Sequence, residues 1–338
     1  MKNWRTSFIP NNKYLRIYTA LAVLVLAVSL LNLCLGAEKV PLVQVLRALV
    51  GQGSGTTAFR IVRYVRLPRL CACLLAGGAL AASGTIIQGV LSNALAAPST
   101  IGVNAGAGLM VALCCAVAPT VLNLVPLAAM VGAFLGVMTV LLIARRTGAS
   151  KITLVLAGVA VSSIFSAGID AVITFVPEAL TGYSDFRIGG FSGVSMARIF
   201  PALWPAALSF SASLLLHNEM DVLMLGTEQA QSLGLPAEKL RIALLGLAAV
   251  LAGSAVSVGG LVGFVGLIVP HIMRSLVGEE SGPLLASSAL GGAALLAACD
   301  LAGRLIFAPY EIPVGIVMAL AGGPFFIWLL QRRGRLRD

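Results

Sequence analysis

Residues 66–89 read RLPRLCACLLAGGALAASGTIIQG, from Arg66 to Gly89. Two arginines open the stretch and an uncharged, largely apolar run follows. On a helical projection its Ala, Gly and Ser residues fall on every side rather than along one stripe. A helix that is small all round suits the middle of a membrane bundle, where lipid gives no hydrophobic drive and backbones must approach closely. The segment is expected to be a central membrane helix whose charged end faces a partner.

The surrounding sequence supports a membrane setting. From Leu70 to Ala144 there is no Asp, Glu, Lys, Arg or His, which at ~20 residues per span accommodates three crossings. The 338-residue chain is 59% hydrophobic and 11% charged, with a mean hydropathy of +0.98, whereas soluble domains carry about 25% charged residues. An apolar core in water would leave no charged surface over such a length. The chain is read as an all-α polytopic membrane protein, with residues 1–338 forming one transmembrane domain.

The net charge of +10 is spread over tails and loops rather than gathered beside aromatic residues, which excludes nucleic acid as a partner. Cys34, Cys71, Cys73, Cys114, Cys115 and Cys299 lie in apolar segments without metal-ligand spacing and read as small packing residues. The basic lead of Lys2, Arg5, Lys13 and Arg16 precedes an apolar run from Ile17 to Leu35. That run is too long for a usual signal core and is expected to be a retained first span.

Breaking the apolar runs at charges, Pro/Gly clusters and polar knots predicts about ten transmembrane helices. They lie near 15–35, 67–91, 100–118, 122–144, 152–176, 195–216, 239–257, 260–277, 284–305 and 313–331. The seventh and eighth share so little sequence that one is expected to be short or broken. Ten spans put both tails on one side, and the basic residues of both tails, with Arg332, Arg333, Arg335 and Arg337 at the second, make that side cytoplasmic. Arg145, Arg146, Lys151, Lys239, Arg241 and Arg274 then also fall inside. Arg60, Arg63, Arg66 and Arg69 fall outside, against the usual bias, which suggests an acidic partner for some of them. Arg60 and Arg63 read as solvated interface anchors.

Two loops draw notice. Residues 88–106 are uncharged but rich in turn formers, and are expected to form an inner loop partly tucked into protein. Residues 217–241, from His217 to Arg241, form the longest polar insert of the second half, with a cytoplasmic segment at about 218–238. Within it Leu225-Gly226-Thr227-Glu228-Gln229-Ala230-Gln231-Ser232-Leu233-Gly234 predicts a short helix bounded by Gly226 and Gly234 with Thr227 as its cap. Such a helix on the cytoplasmic face could be a docking element or a passive linker.

No phosphate loop, HExxH or GxSxG occurs, and nothing pairs a nucleophile with a base. His217 and His271 are the two histidines and have no co-ligands at metal-binding spacing. An intrinsic enzyme is not expected, nor a cofactor. Of the intramembrane acids, Asp300 precedes Arg304 by four residues and predicts an i,i+4 ion pair. Asp170 has no such neighbour, and an ionised carboxylate costs roughly 2.5 to 3.5 kcal/mol at mid-membrane unless water or a partner reaches it.

Residues 259–274, GGLVGFVGLIVPHIMR, resemble a known signature. Gly-Phe-Val-Gly-Leu-Ile-Val-Pro-His-Ile-x-Arg is similar to the mark of the FecCD-type permeases of type II ABC importers for iron-siderophores, haem and vitamin B12. Arg66-Leu67-Pro68-Arg69 resembles that family's entry to its second helix, and Leu225–Gly234 its cytoplasmic coupling segment. Asp300-Leu301-Ala302-Gly303-Arg304, Glu311–Val317 and Gly323–Leu330 resemble its ninth and tenth helices. The chain departs at Asn93-Ala94 and Ala97-Pro98, where the family usually has Asn-Pro and an acid, and at Thr227, where an acid is common.

The resemblance implies a homodimer of ten-helix subunits in the bacterial inner membrane, both termini cytoplasmic, with two ATPase subunits on the coupling segments and an extracytoplasmic binding protein outside. It implies that Arg66, Arg69 and Arg304 face outward and meet acidic residues of that binding protein. It implies ATPase coupling through Leu225, Gly226, Thr227, Glu228, Ala230, Leu233 and Gly234. Gly259, Gly263 and Gly266 are expected to permit close helix crossings, Pro270 to interrupt a helix, His271 to make a helix-end hydrogen bond and Asp300 to orient Arg304. The cargo implied is an iron(III)-siderophore or related chelate, with vitamin B12 or haem as alternatives. A stand-alone ion-coupled carrier is the reading from another class.

Overall fold

The computed structural model describes residues 12–119, 121–146 and 151–334. Lys2, Arg5, Arg335 and Arg337 lie outside the described residues, as do the side chains of Lys151, Arg332 and Arg333. Among the described residues the regular structure is helical: α1 (Asn12–Cys34), α2 (Leu42–Leu49), α3 (Thr57–Arg60), α4 (Leu67–Leu91), α5 (Val103–Val117), α6 (Val125–Arg146), α7 (Lys151–Phe175), α8 (Ala179–Ile188), α9 (Met196–Leu215), α10 (His217–Leu225), α11 (Thr227–Ser232), α12 (Ala237–Gly259), α13 (Val265–Val277), α14 (Ser281–Leu305) and α15 (Val314–Gly334).

Ten of these, α1, α4 to α7, α9 and α12 to α15, fall on the expected spans. Among the described residues six helices are long and apolar enough to cross a bilayer by themselves, and α9 meets that measure together with α10, the two being bent by 60° at their junction. The apolar helices α5, α13 and α15 are shorter. The third span begins later than expected, because a 3-10 turn at Pro98–Ile101 and the left-handed Gly102 (φ 86°) precede α5. Ala96, Pro98 and Ile101 are buried, so this inner loop is tucked into the bundle.

The central position expected for residues 67–91 is observed. In α4, 78% of the most apolar window is buried inside the chain, against 28% in α7. α4 packs most extensively on α14 and α12. A Cβ on Gly77 would lie 2.3 Å from the Gly292 carbonyl oxygen of α14, and one on Gly84 would lie 1.8 Å from that of Gly266 in α13. Only glycine permits these backbone-on-backbone contacts. Upstream, α3 runs without a break through a π-helical stretch, Ile61–Arg66, into α4. Pro68 has no N–H for the carbonyl of Tyr64 and its ring crowds that group, so a wider turn there relieves the clash.

The short junction between the seventh and eighth spans is a break at residues 260–264, with Gly260 at φ 69° and Phe264 at φ 67°. Its polar backbone is partly satisfied by the end of α8, where Leu261 N–H donates to Phe186 O at 2.9 Å, and beside it Gly190 N–H donates to Gly259 O at 2.9 Å. Gly315 N–H donates to Gly189 O at 3.1 Å and ties the same junction to α15. Non-helical backbone at membrane depth requires such partners. Four helices, α2, α3, α8 and α10, were not anticipated from the sequence. α8 buries Ala179, Tyr183 and Phe186, an i, i+4, i+7 face, and α2 buries Val45 and Ala48.

Candidate functional site

Four segments bring charge together at the Arg66 end of α4. The end of α1 supplies Asn32 and backbone carbonyls, the start of α4 supplies Arg69, the end of α14 supplies Asp300 and Arg304, and the loop before α15 supplies Glu311. Arg69 Nε donates to Asp300 Oδ2 at 2.9 Å and Nη2 to Oδ1 at 3.0 Å, while Nη1 donates to Glu311 Oε2 at 2.6 Å. Arg304 Nε lies 3.3 Å from Asp300 Oδ2 as an ion pair, and its Nη2 donates to Asn32 Oδ1. Arg66 Nη1 donates to the Leu33 carbonyl at 2.7 Å, and Nη2 to that of Glu38.

The arginines expected to face outward are therefore covered: Arg66, Arg69 and Arg304 are 5–7% exposed and Asp300 is 1% exposed. Taking a guanidinium out of water is costly, and each is compensated by carboxylates or carbonyls inside the chain. Arg60 and Arg63, expected to be solvated, are exposed. The i,i+4 pair of Asp300 with Arg304 is present, but the stronger partner of Asp300 is Arg69, 231 positions away. Arg69 and Arg304 share the Asp300 carboxylate while Arg66 is held by carbonyls, and the exchangeable carboxylate is that of Glu311, which pairs with Arg69 from a side chain 41% exposed.

The opposite end carries the predicted coupling segment. α10 and α11 meet at Gly226, whose φ of 131° is open to glycine. Thr227 does not cap α11 as expected: Gly226 holds the cap position, and the Thr227 hydroxyl accepts from Arg241 Nη2 at 2.9 Å. Arg241 is buried, so its guanidinium claims the nearest oxygen of α11. Leu225, Glu228, Leu233 and Gly234 are exposed and Ala230 is buried, giving α11 one anchored face and one open face. Asp221 accepts from the Ser281 N–H at 2.9 Å, and Tyr14 donates to Glu280 at 3.1 Å, joining α10 and α1 to the start of α14.

Between the two ends runs the signature stretch of α13. Pro270 removes the donor that would serve the Gly266 carbonyl in a regular helix. Gln88 of α4 replaces it, donating from Nε2 to Gly266 O at 3.2 Å, and its Oε1 accepts from Arg274 at 3.1 Å. Gly266 lies against the α4 backbone, as a close crossing requires, whereas Gly259 lies against the Phe191 ring of the loop before α9 rather than against another helix. Gly263 does not follow suit, having nothing within 4 Å of where a Cβ would stand. His271 packs edge-on to Phe325, with ring centroids 6.3 Å apart. Sequence reasoning missed the roles of Asn32, Gln88 and Glu311. An uncharged amide inside an apolar span was the available signal for the first two.

A third feature lies on α7. Asp170 is exposed on its face and borders a groove of ≈570 Å³ lined also by Ser99, Thr100, Ser162, Ser163 and Ser166.

Comparison with known proteins agrees with this architecture. The model of the FecCD transport family matches residues 24–332. The hemin transport system permease HmuU of Yersinia pestis is 35% identical over 330 residues, covering 93% of this chain and 96% of that protein. The Fe(3+)-citrate import system permease YfmE of Bacillus subtilis is 35% identical over 317 residues, covering 93% and 94%. A solved structure described as an inward-facing conformation of a metal-chelate type ABC transporter matches with a TM-score of 0.82 at 28% identity, over 94% of this chain and 99% of that one. Agreement of sequence, fold and length over nearly the whole chain leads to one conclusion: this chain belongs to the FecCD transport family.

Proposed function

We propose that this chain is the membrane-embedded permease subunit of an ABC importer that carries an iron(III) chelate or related metal chelate into the cell. The observation that carries this reading is the near full-length similarity to import permeases for hemin and ferric citrate. Two copies enclose the path, and two ATPase subunits seat on the open faces of α10 and α11. Nucleotide-driven closure of those subunits moves the bent α9–α10 pair and alternates access through the bundle. Both termini face the cytoplasm, following the basic residues of the inner loops.

The charged cluster at the Arg66 end then lies outside. Arg66, Arg69 and Arg304 hold a net positive charge there, and a carboxylate of the delivering protein competes with Glu311 for Arg69 rather than finding a free guanidinium. Charge complementarity of this kind sets encounter rate and register more than raw affinity.

The test is reconstitution of the chain with its cognate ATPase and binding protein in vesicles, measuring uptake of hemin, ferric citrate and a ferric hydroxamate. ATP-dependent uptake of one of these, absent without the ATPase, is the expected result. Uptake driven by a sodium or proton gradient in vesicles lacking the ATPase would overturn it in favour of an ion-coupled carrier.

A further inference from the structure

Helix α2 buries Val45 and Ala48 against the rest of the chain and leaves a second apolar face open. Leu42, Val43 and Leu46, with Val50 just beyond the helix, are each at least 49% exposed. At 3.6 residues per turn these four fall within an arc of about 100°. Arg47, also exposed, stands at the edge of that arc. α2 packs on α3 and on the π-helical stretch that leads into α4, where Arg60, Arg63 and Tyr64 are exposed as well. The Tyr64 ring meets that of Phe59 edge-on, with centroids 6.3 Å apart. Among the described residues no ion pair engages Arg47, Arg60 or Arg63.

The depth of α2 follows from hydrogen bonds in the link before it. Val40 N–H donates to Cys34 O at 2.9 Å, and Arg66 donates to the Leu33 and Glu38 carbonyls. The link therefore folds back, and α2 begins level with the end of the first span. The 23 residues of α1 rise about 35 Å, slightly more than the ~30 Å hydrocarbon layer, which puts that end at the headgroup boundary. Of the six long spans α1 is the least enclosed, with 17% of its most apolar window buried. Its exposed Val23, Leu26 and Leu31 carry a lipid-facing surface up to α2. Water would leave the stripe of α2 bare. An acidic protein surface would answer the arginines and leave the stripe uncovered. A leaflet of anionic phospholipid answers both, with acyl chains under the stripe and phosphates at the guanidinium groups.

We propose that α2 is an interfacial anchor lying in the leaflet at the Cys34 end of α1, with Leu42, Val43, Leu46 and Val50 among the acyl chains and Arg47, Arg60 and Arg63 on the headgroups of anionic phospholipid. On the topology proposed above this is the outer leaflet. Tyr64 sits at the same level, where amphipathic rings are favoured. Glu38 and Lys39 are adjacent in the link and offset each other, so the three arginines set the lipid preference. Because α3 runs without a break into α4, the anchor also fixes how far the Arg66 and Arg69 cluster stands from the bilayer. The inference goes beyond the permease reading and is independent of the cargo.

The test uses the full chain in vesicles of mixed phosphatidylcholine and phosphatidylglycerol. A bimane fluorophore is attached to a cysteine introduced by Leu46→Cys or by Gln44→Cys on the polar side of α2, and the parent chain supplies the background from native thiols. Bromine quencher is carried on the acyl chains of one phospholipid or of the other. Quenching at position 46 should exceed that at position 44 several-fold, since a face buried about 5–10 Å into the leaflet meets the brominated chains. Comparing the two brominated lipids at position 46 should give phosphatidylglycerol an affinity at least about fivefold higher, the effect of a single cation near an anionic leaflet. Arg47→Gln with Arg60→Gln and Arg63→Gln should bring that ratio to about one while quenching persists, and the matching triple change to Lys should keep it high. Equal quenching at positions 44 and 46, or a lipid preference that is absent or that the triple Gln variant leaves unchanged, overturns the proposal. So does a fluorophore at position 46 that iodide reaches in vesicles until the cognate binding protein is added, which would assign the face to that partner. None of these readouts involves uptake, which tests the permease reading itself.

Discussion

Arg69 and Asp300 are joined by a two-pronged ion pair, Nε to Oδ2 at 2.9 Å and Nη2 to Oδ1 at 3.0 Å, that ties the start of α4 to the end of α14. Both residues are buried, so the pair is more consequential when broken than when made. Arg69→Met should cost about 3–5 kcal/mol by stranding the carboxylate. Arg69→Lys should recover only part of this, because an ammonium cannot match both oxygens. Arg69→Met with Asp300→Leu should be less damaging than Arg69→Met alone. Thermal and denaturant unfolding in detergent measure all three, and equal losses for the single and double variants would contradict the assignment.

Gln88 and Pro270 are predicted to be coupled although they do not share a helix. Gln88→Leu leaves the Gly266 carbonyl without its donor and should cost about 1–3 kcal/mol. Pro270→Ala restores the backbone N–H that Gln88 replaces, so Gln88→Leu should cost less in that background. A double-mutant cycle reads the difference, and strict additivity would argue against the substitution of one donor for the other.

Glycines of α4 and α12 should respond in opposite ways to the same change. Gly84→Ala forces a methyl group to within 1.8 Å of the Gly266 carbonyl oxygen, so α4 and α13 must part, with a cost of at least about 1–3 kcal/mol. Gly246→Ala in α12 meets nothing within 4 Å and should stabilise by up to about 1 kcal/mol through helix propensity. Comparing the two melting temperatures checks both.

Leu225 and Leu233 are exposed beside Gly226 and Gly234. Changing both to Asp should leave the melting temperature of the isolated chain unchanged. It should weaken co-purification of the ATPase by at least about tenfold, the effect of losing ~1.4 kcal/mol at an interface. Unaltered ATPase association would remove α11 from the coupling role.

Glu311→Gln should tighten binding of the delivering protein by about fivefold at low ionic strength, since a competitor for Arg69 is lost at a partly exposed site. Added salt should erase the gain. Weaker binding would show that Glu311 is itself a contact.

Most of the architecture was legible because hydrophobic runs and their breaks are local features. The small residues of 67–91 foretold a central helix, since only glycine allows contacts such as Gly77 on Gly292. The partners of Arg69 were not legible: Asp300 and Glu311 lie 231 and 242 positions away, and an i,i+4 neighbour was the only pairing that spacing could suggest. Thr227 misled for a similar reason, because its hydroxyl is claimed by Arg241 from another helix. α8 was missed because ten residues with little hydrophobicity carry no span signal, although the Ala179, Tyr183, Phe186 spacing was available.

The glycine contacts along α4 have a mechanical corollary. Where main chain touches main chain there is no side chain to swing aside and absorb a displacement, so α4, α13 and α14 should behave as a stiff strut. A push delivered near Gln88 would reach Arg69 as translation of the whole unit, and yielding is left to the glycine-bearing joints at 102, 226 and 260.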